Sequence, residues 1–172
     1  SSAASDVYKR QLQSLYAVHP QLKAFAAQLG DDSVRTVFLG GLCASAAPLL
    51  FSALPVAAPQ VMQHPFLFLL DDAEEAGYFY HDLTQILGEN QVFYFPSSYR
   101  RAIKFAQRDA ANEILRTEVL SRIASGERPL YIVTFPEALA EKVVSKQNLE
   151  SQTLKVRTGE QVDIRFVEDT LF

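Results

Sequence analysis

Between Thr36 and Phe51 the chain carries residue types that could hold a phosphate. Val37, Phe38 and Leu39 suit a buried strand, Gly40-Gly41 a tight turn, and Cys43-Ala44-Ser45-Ala46-Ala47 the small-residue opening of an apolar helix. Strand, glycine turn and helix are the layout of a phosphate-binding loop, in which backbone N–H groups and the helix dipole face an anion. A working loop also needs a Lys for the terminal phosphates and a hydroxyl for Mg²⁺. No Lys or Arg occurs between Arg35 and His64. Gly40, Gly41, Leu42, Cys43, Ala44, Ser45 and Ala46 therefore read either as a degenerate phosphate loop or as an ordinary turn whose glycines only permit the bend. Neither reading supports ATP hydrolysis at this place.

The other chemistry-bearing residues are scattered. Cys43 is the single cysteine, so no internal disulfide can form, and no Cys/His spacing suggests a metal site. As a small residue beside the turn it needs no nucleophilic role. His19, His64 and His81 lack any recognisable triad partner. Asp71-Asp72 could bind a metal, but capping the following helix accounts for both acids. Arg100, Arg101, Lys104 and Arg108 form a basic stretch, which reads as a solvated linker or as a set of clamps for DNA phosphates or for carboxylates of another domain. Asn112, Glu113 and Arg116 follow it and join that candidate contact set.

These residues sit in a chain of 172, long enough for one domain with a sizeable core or one domain plus part of another. A hydrophobic fraction of 48% excludes disorder, and a net charge of −4 excludes the broad basic footprint of an independent nucleic-acid binder. That balance favours an interdomain role for the basic stretch. The longest apolar run, Phe66 to Leu70, is far short of the roughly 20 residues a membrane span needs, and no signal peptide is visible. A soluble, cytoplasmic protein is expected.

In chain order, residues 1–11 are polar, lack an initiator Met and resemble translated adapter sequence, so they are set aside as a non-native leader. Residues 12–145 carry the pattern of one domain. Two short helices flank His19-Pro20 and end near Gly30. A strand at Thr36–Leu39 leads through the glycine turn into a helix from about Ala44 to Leu54. Phe66–Leu70 reads as a strand buried on both faces, and Ala73–Leu87 as a helix stopped by Gly88. Val92–Phe95 is the third strand. Asp109–Ala124 is a helix with Ile114, Leu115, Val119 and Ile123 inward and Glu113, Arg116 and Glu118 toward solvent. Leu130–Phe135 is the fourth strand, and Pro136 opens another helix. Strands alternating with helices predict an α/β fold, a parallel sheet covered by helices on both faces. Residues 146–172 change pattern, with an alternating strand at Gln152–Arg157 and a helix from about Ile164, and read as the start of a second α/β domain cut short.

Several segments resemble the amino-terminal, excinuclease-B-like module of the bacterial transcription-repair coupling factor. They are the Leu39–Leu50 loop, Val92–Ser98, Arg108–Arg116, Tyr131–Leu139 and Leu154–Asp163, in that order. The phosphate loop is intact in excinuclease B and degraded in the coupling factor, and Cys43–Ala46 is similar to the degraded form. Asp109–Glu113 resembles the Asp-Ala-Ser-x-Asn-Glu stretch of excinuclease B. The resemblance implies a RecA-like, P-loop-NTPase-like fold with an inactive loop, and a second domain of the kind that binds the excision nuclease component excinuclease A. It implies a non-catalytic fragment of a protein that recognises RNA polymerase stalled at a lesion and removes it with an ATP-driven translocase, then recruits excision repair. Excinuclease A, RNA polymerase and DNA would be partners of the whole protein, and contacts with its further domains would be intramolecular. ATP and Mg²⁺ would belong to its motor domain, with no cofactor in this fragment. A helicase-like ATPase that replaces the missing Lys, and a small-molecule-binding domain using the Gly40-Gly41 turn, are the alternatives.

Overall fold

The computed structural model describes residues 2–99, 109–145 and 148. The chain divides into two compact units, residues 1–141 and 142–172, and every element below lies in the first. Helix α1 (Ser2–Ala17) stops before Pro20, which takes the first position of α2 (Pro20–Leu29), where its missing N–H costs nothing. Leu22, Phe25 and Ala26 recur at helical spacing and are buried. Residues 2–11, set apart by composition, continue into α1 without a break. Later in that helix, Gln13 Nε2 donates to the Ser52 carbonyl at 3.3 Å, tying α1 to α3 (Ala46–Ala57).

Thr36–Leu39, expected as the first strand, belongs to no strand or helix. Val37 and Leu39 pack partly against the core, while Phe38 is 92% exposed. Strand-forming composition expresses a fit to a pleated, half-buried surface, and here only one side of the segment meets such a surface. Helix α3 begins two residues later than expected. Pro48 lies in its first turn, where backbone N–H groups have no helical partner, and the helix runs past Pro55 to Ala57.

After a 3₁₀ turn at Pro59–Gln63 come β1 (Phe66–Leu69), α4 (Ala73–Leu87), β2 (Val92–Tyr94), α5 (Ala110–Ser125), β3 (Tyr131–Thr134) and α6 (Pro136–Ala140). The three strands form a parallel sheet in the order β1-β3-β2, giving an α/β fold. Phe66 stands opposite Tyr131, which in turn stands opposite Val92. All four residues of β3 are buried.

One face of the sheet is aromatic. Phe68 meets Phe51 of α3 at 4.9 Å and Phe79 of α4 at 4.8 Å between ring centroids, and Phe66 stacks on Tyr131 at 5.6 Å. On the opposite face Arg122 of α5 lies 4.2 Å over the Phe93 ring. That cover stops short of β1, where Leu67 and Leu69 are more than half exposed. The expectation of a strand buried on both faces therefore fails at β1, an edge strand covered on one side only.

The helix ends follow local chemistry. Asp72 accepts from the amides of Glu74 and Glu75 at 2.8 and 2.9 Å, and Gly88, at φ 87°, closes α4. Asp109 caps α5 through the Ala111 amide, and Gly126, at φ 75°, ends it. The inward face of α5 is only partly the expected one: Val119 is buried as expected. Arg116 is buried too, while Ile114 is 68% exposed and Ile123 is exposed. Arg116 finds carbonyl partners inside, which a face chosen by hydrophobicity alone does not anticipate.

Phe68→Ala should cost about 3–5 kcal/mol in urea unfolding, because a ring packed against four others, Phe51, Phe66, Phe79 and Tyr131, leaves a cavity. Phe38→Ser should change stability by no more than about 0.5 kcal/mol. A large loss for Phe38→Ser would mean that Thr36–Leu39 is a packed strand.

Candidate functional site

Gly40 to Ser45 lie outside any helix or strand, with a bend at Gly41 and a turn at Ala44-Ser45, and lead into α3 at Ala46. Gly41 has φ 80° and Ala44 φ 47°, two left-handed positions that reverse the chain; glycine adopts the first freely, and alanine at the second costs on the order of 1 kcal/mol. Cys43 is exposed and free. Ser45, the residue before α3, makes no side-chain cap. Its hydroxyl instead donates to Asp82 Oδ2 of α4 at 2.5 Å. A carboxylate thus stands at the start of α3, where the helix dipole favours negative charge. A second anion about 4 Å away would be repelled by about 4 kcal/mol at an effective dielectric of 20.

Beside the turn opens a cavity of about 370 Å³. Its walls include Tyr16, Leu22, Leu42 and Leu50 with Gly41, and the one imidazole, His19, accepts from the Gln21 amide at 3.3 Å. The walls contain neither Lys nor Arg. The cavity is lined mainly by apolar side chains, with Gln21 and His19 as its polar ones apart from the Tyr16 hydroxyl.

Arg100, Arg101, Lys104 and Arg108 lie outside the described residues. Asn112, Glu113 and Arg116 stand on α5, where the loop after β2 passes. Asn112 Nδ2 donates to the Ser97 carbonyl at 2.8 Å. Arg116, expected at the surface, is 6% exposed. Its Nη1 donates to the Pro96 carbonyl at 2.8 Å and the Ala138 carbonyl at 3.0 Å, and its guanidinium lies 4.2 Å over the Phe95 ring. Short α6 leaves its last carbonyls without helical donors, and Arg116 supplies one. Nη2 is buried with no partner among the described residues.

The acid that balances Arg116 is Glu141, 3.6 Å from Nη1. Its Oε1 accepts from the Ser97 hydroxyl, its Oε2 accepts from the Ser98 hydroxyl at 2.5 Å, and the Ser98 amide lies 3.1 Å from both oxygens. Sequence reasoning missed Glu141, which stands 43 residues from Ser98. Only the Ser97-Ser98 pair after a strand hinted at an acceptor nearby.

Burial raises the Glu141 pKa, but the hydrogen bonds from Ser97 and Ser98 and the charge of Arg116 outweigh it and hold the acid below its ordinary value. Burial also holds Arg116 below the usual arginine value, against the pull of Glu141 and Glu113. Among the described residues no group of three or more His, Cys, Asp or Glu could hold a metal ion, and no helix is long and apolar enough to cross a membrane. Comparison with family models, curated proteins and solved structures gave no match in any of the three.

A group whose folded pKa is depressed stabilises the fold fully above its unfolded value and loses that contribution as pH falls through the folded one. Glu141 should therefore stabilise fully above its ordinary 4.5 and progressively less below it. The stability difference between wild type and Glu141→Gln, measured by urea unfolding, should shrink as pH falls from about 5 to about 3. A constant difference would mean that the carboxylate's charge is immaterial. Arg116→Met should cost about 3–5 kcal/mol at pH 7, because it leaves Glu141 and two carbonyls without their donor.

Proposed function

We propose that this chain is a non-catalytic scaffold module, a RecA-like, P-loop-NTPase-like α/β domain whose phosphate loop no longer binds nucleotide. The observation that carries this reading is the Ser45–Asp82 hydrogen bond, which sets a carboxylate at the start of α3 in a turn without Lys or Arg. A helicase-like ATPase would need both a cation and an empty helix end there.

The order of segments that resemble the transcription-repair coupling factor supports a more specific role, an amino-terminal fragment of such a protein in the cytoplasm. The whole protein would then remove RNA polymerase stalled at DNA lesions and recruit nucleotide excision repair through excinuclease A. ATP, Mg²⁺ and the main DNA contact would belong to its motor. The apolar cavity beside Gly41 favours one second reading, a binding site for a small apolar molecule.

Calorimetric titration with Mg-ATP should give no binding heat. A micromolar dissociation constant, about −8 kcal/mol, would overturn the scaffold reading and bring the ATPase forward. The repair role is tested with the complete protein, which should release stalled RNA polymerase in the presence of ATP while this module alone hydrolyses none. Absence of release would contradict that role.

A further inference from the structure

The donors around Glu141 are each held by contacts that do not involve Glu141. The Ser97 carbonyl is fixed by Asn112 and the Ser98 carbonyl by the Asp109 amide at 2.8 Å. Arg116 is fixed by Pro96, Ala138 and the Phe95 ring, and the Phe95 carbonyl in turn accepts from Thr134 Oγ1 at 2.8 Å. The backbone of Ser97 and Ser98, with the Ser98 amide, and the buried guanidinium are therefore placed by contacts other than a carboxylate, and the two serine hydroxyls stand beside them. They lie just beyond the carboxyl end of β2, where open parallel sheets commonly receive their ligands. Glu141 is differently placed. It follows the five-residue helix α6 on extended backbone and reaches this site by its side chain.

From this asymmetry we propose that Ser97, Ser98 and Arg116 form a carboxylate-recognition site whose resident ligand is Glu141, and that an external monocarboxylate occupies it when Glu141 is removed. The ligand class follows from the geometry. Ser98 N is equidistant from two oxygens, and each hydroxyl serves one of them, which matches a planar carboxylate better than a tetrahedral phosphate. The unpartnered Nη2 leaves the guanidinium with donor capacity to spare. Glu113 is the other acid that acts on Arg116. The tethered Glu141 competes at high effective concentration, so the intact chain should take up no carboxylate.

The test is thermal unfolding of the full chain at pH 7 in sodium acetate against sodium chloride of equal ionic strength. Glu141→Ala should gain stability with acetate in proportion to the logarithm of its concentration, as ligand linkage requires, while wild type and Glu141→Gln, whose sites are filled, gain none. Adding Ser98→Ala to Glu141→Ala should abolish the gain. If Glu141→Ala does not fold in chloride, recovery of folding by acetate supports the site, and failure in both salts overturns it. Equal acetate effects in wild type and Glu141→Ala, or none in either, would also overturn it, as would a larger effect of phosphate than of acetate.

Discussion

Burial of the central strand is the constraint on which the first compact unit depends. Tyr131 to Thr134 are buried, all four are paired with β1 and Tyr131 to Val133 also with β2, so every neighbour must bring apolar surface or a hydrogen bond. The aromatic set Phe51, Phe66, Phe68 and Phe79 supplies the first on one face. On the other, Leu67 and Leu69 of β1 are left open. Edge pairing supplies the hydrogen bonds along the strand, and Thr134 Oγ1 adds one to the Phe95 carbonyl.

At the carboxyl end of the sheet the demand changes from apolar area to donors. Pro96 and Ala138 present carbonyls inside the protein, and a lysine could not satisfy both while stacking on Phe95 as the planar guanidinium of Arg116 does. A buried cation must then be balanced, since an unpaired one costs several kcal/mol. Glu141 balances it, and the hydroxyls of Ser97 and Ser98 donate to its two oxygens. Each polar group in this cluster is thus required by the one before it, beginning from two carbonyls at the ends of short elements.

The sequence made legible those elements whose limits are set by local chemistry. Helix α4 falls at its expected bounds because Asp72 caps it and Gly88 stops it, and the three paired strands fall within a residue or two because prolines and turns bound short apolar runs. What could not be read depends on partners remote in the chain. Thr36–Leu39 has strand composition, yet composition does not supply a neighbouring strand. Arg116 looked solvent-facing because its carbonyls come from two other elements, and Glu141 was signalled only indirectly, by the Ser97-Ser98 pair that needed an acceptor. Asp82 at the start of α3 was silent, being 37 residues from Ser45.

The central claim is that the glycine turn is not a nucleotide loop, since the segment before it is unpaired and the helix after it already faces a carboxylate. Amide hydrogen exchange across the whole chain, with and without Mg-ATP, tests both halves at once. Phe38 and Leu39 should exchange orders of magnitude faster than Ile132 and Val133, and Mg-ATP should protect none of Gly40 to Ala47. Slow exchange at Phe38 and Leu39, or protection of the turn by nucleotide, would contradict the claim.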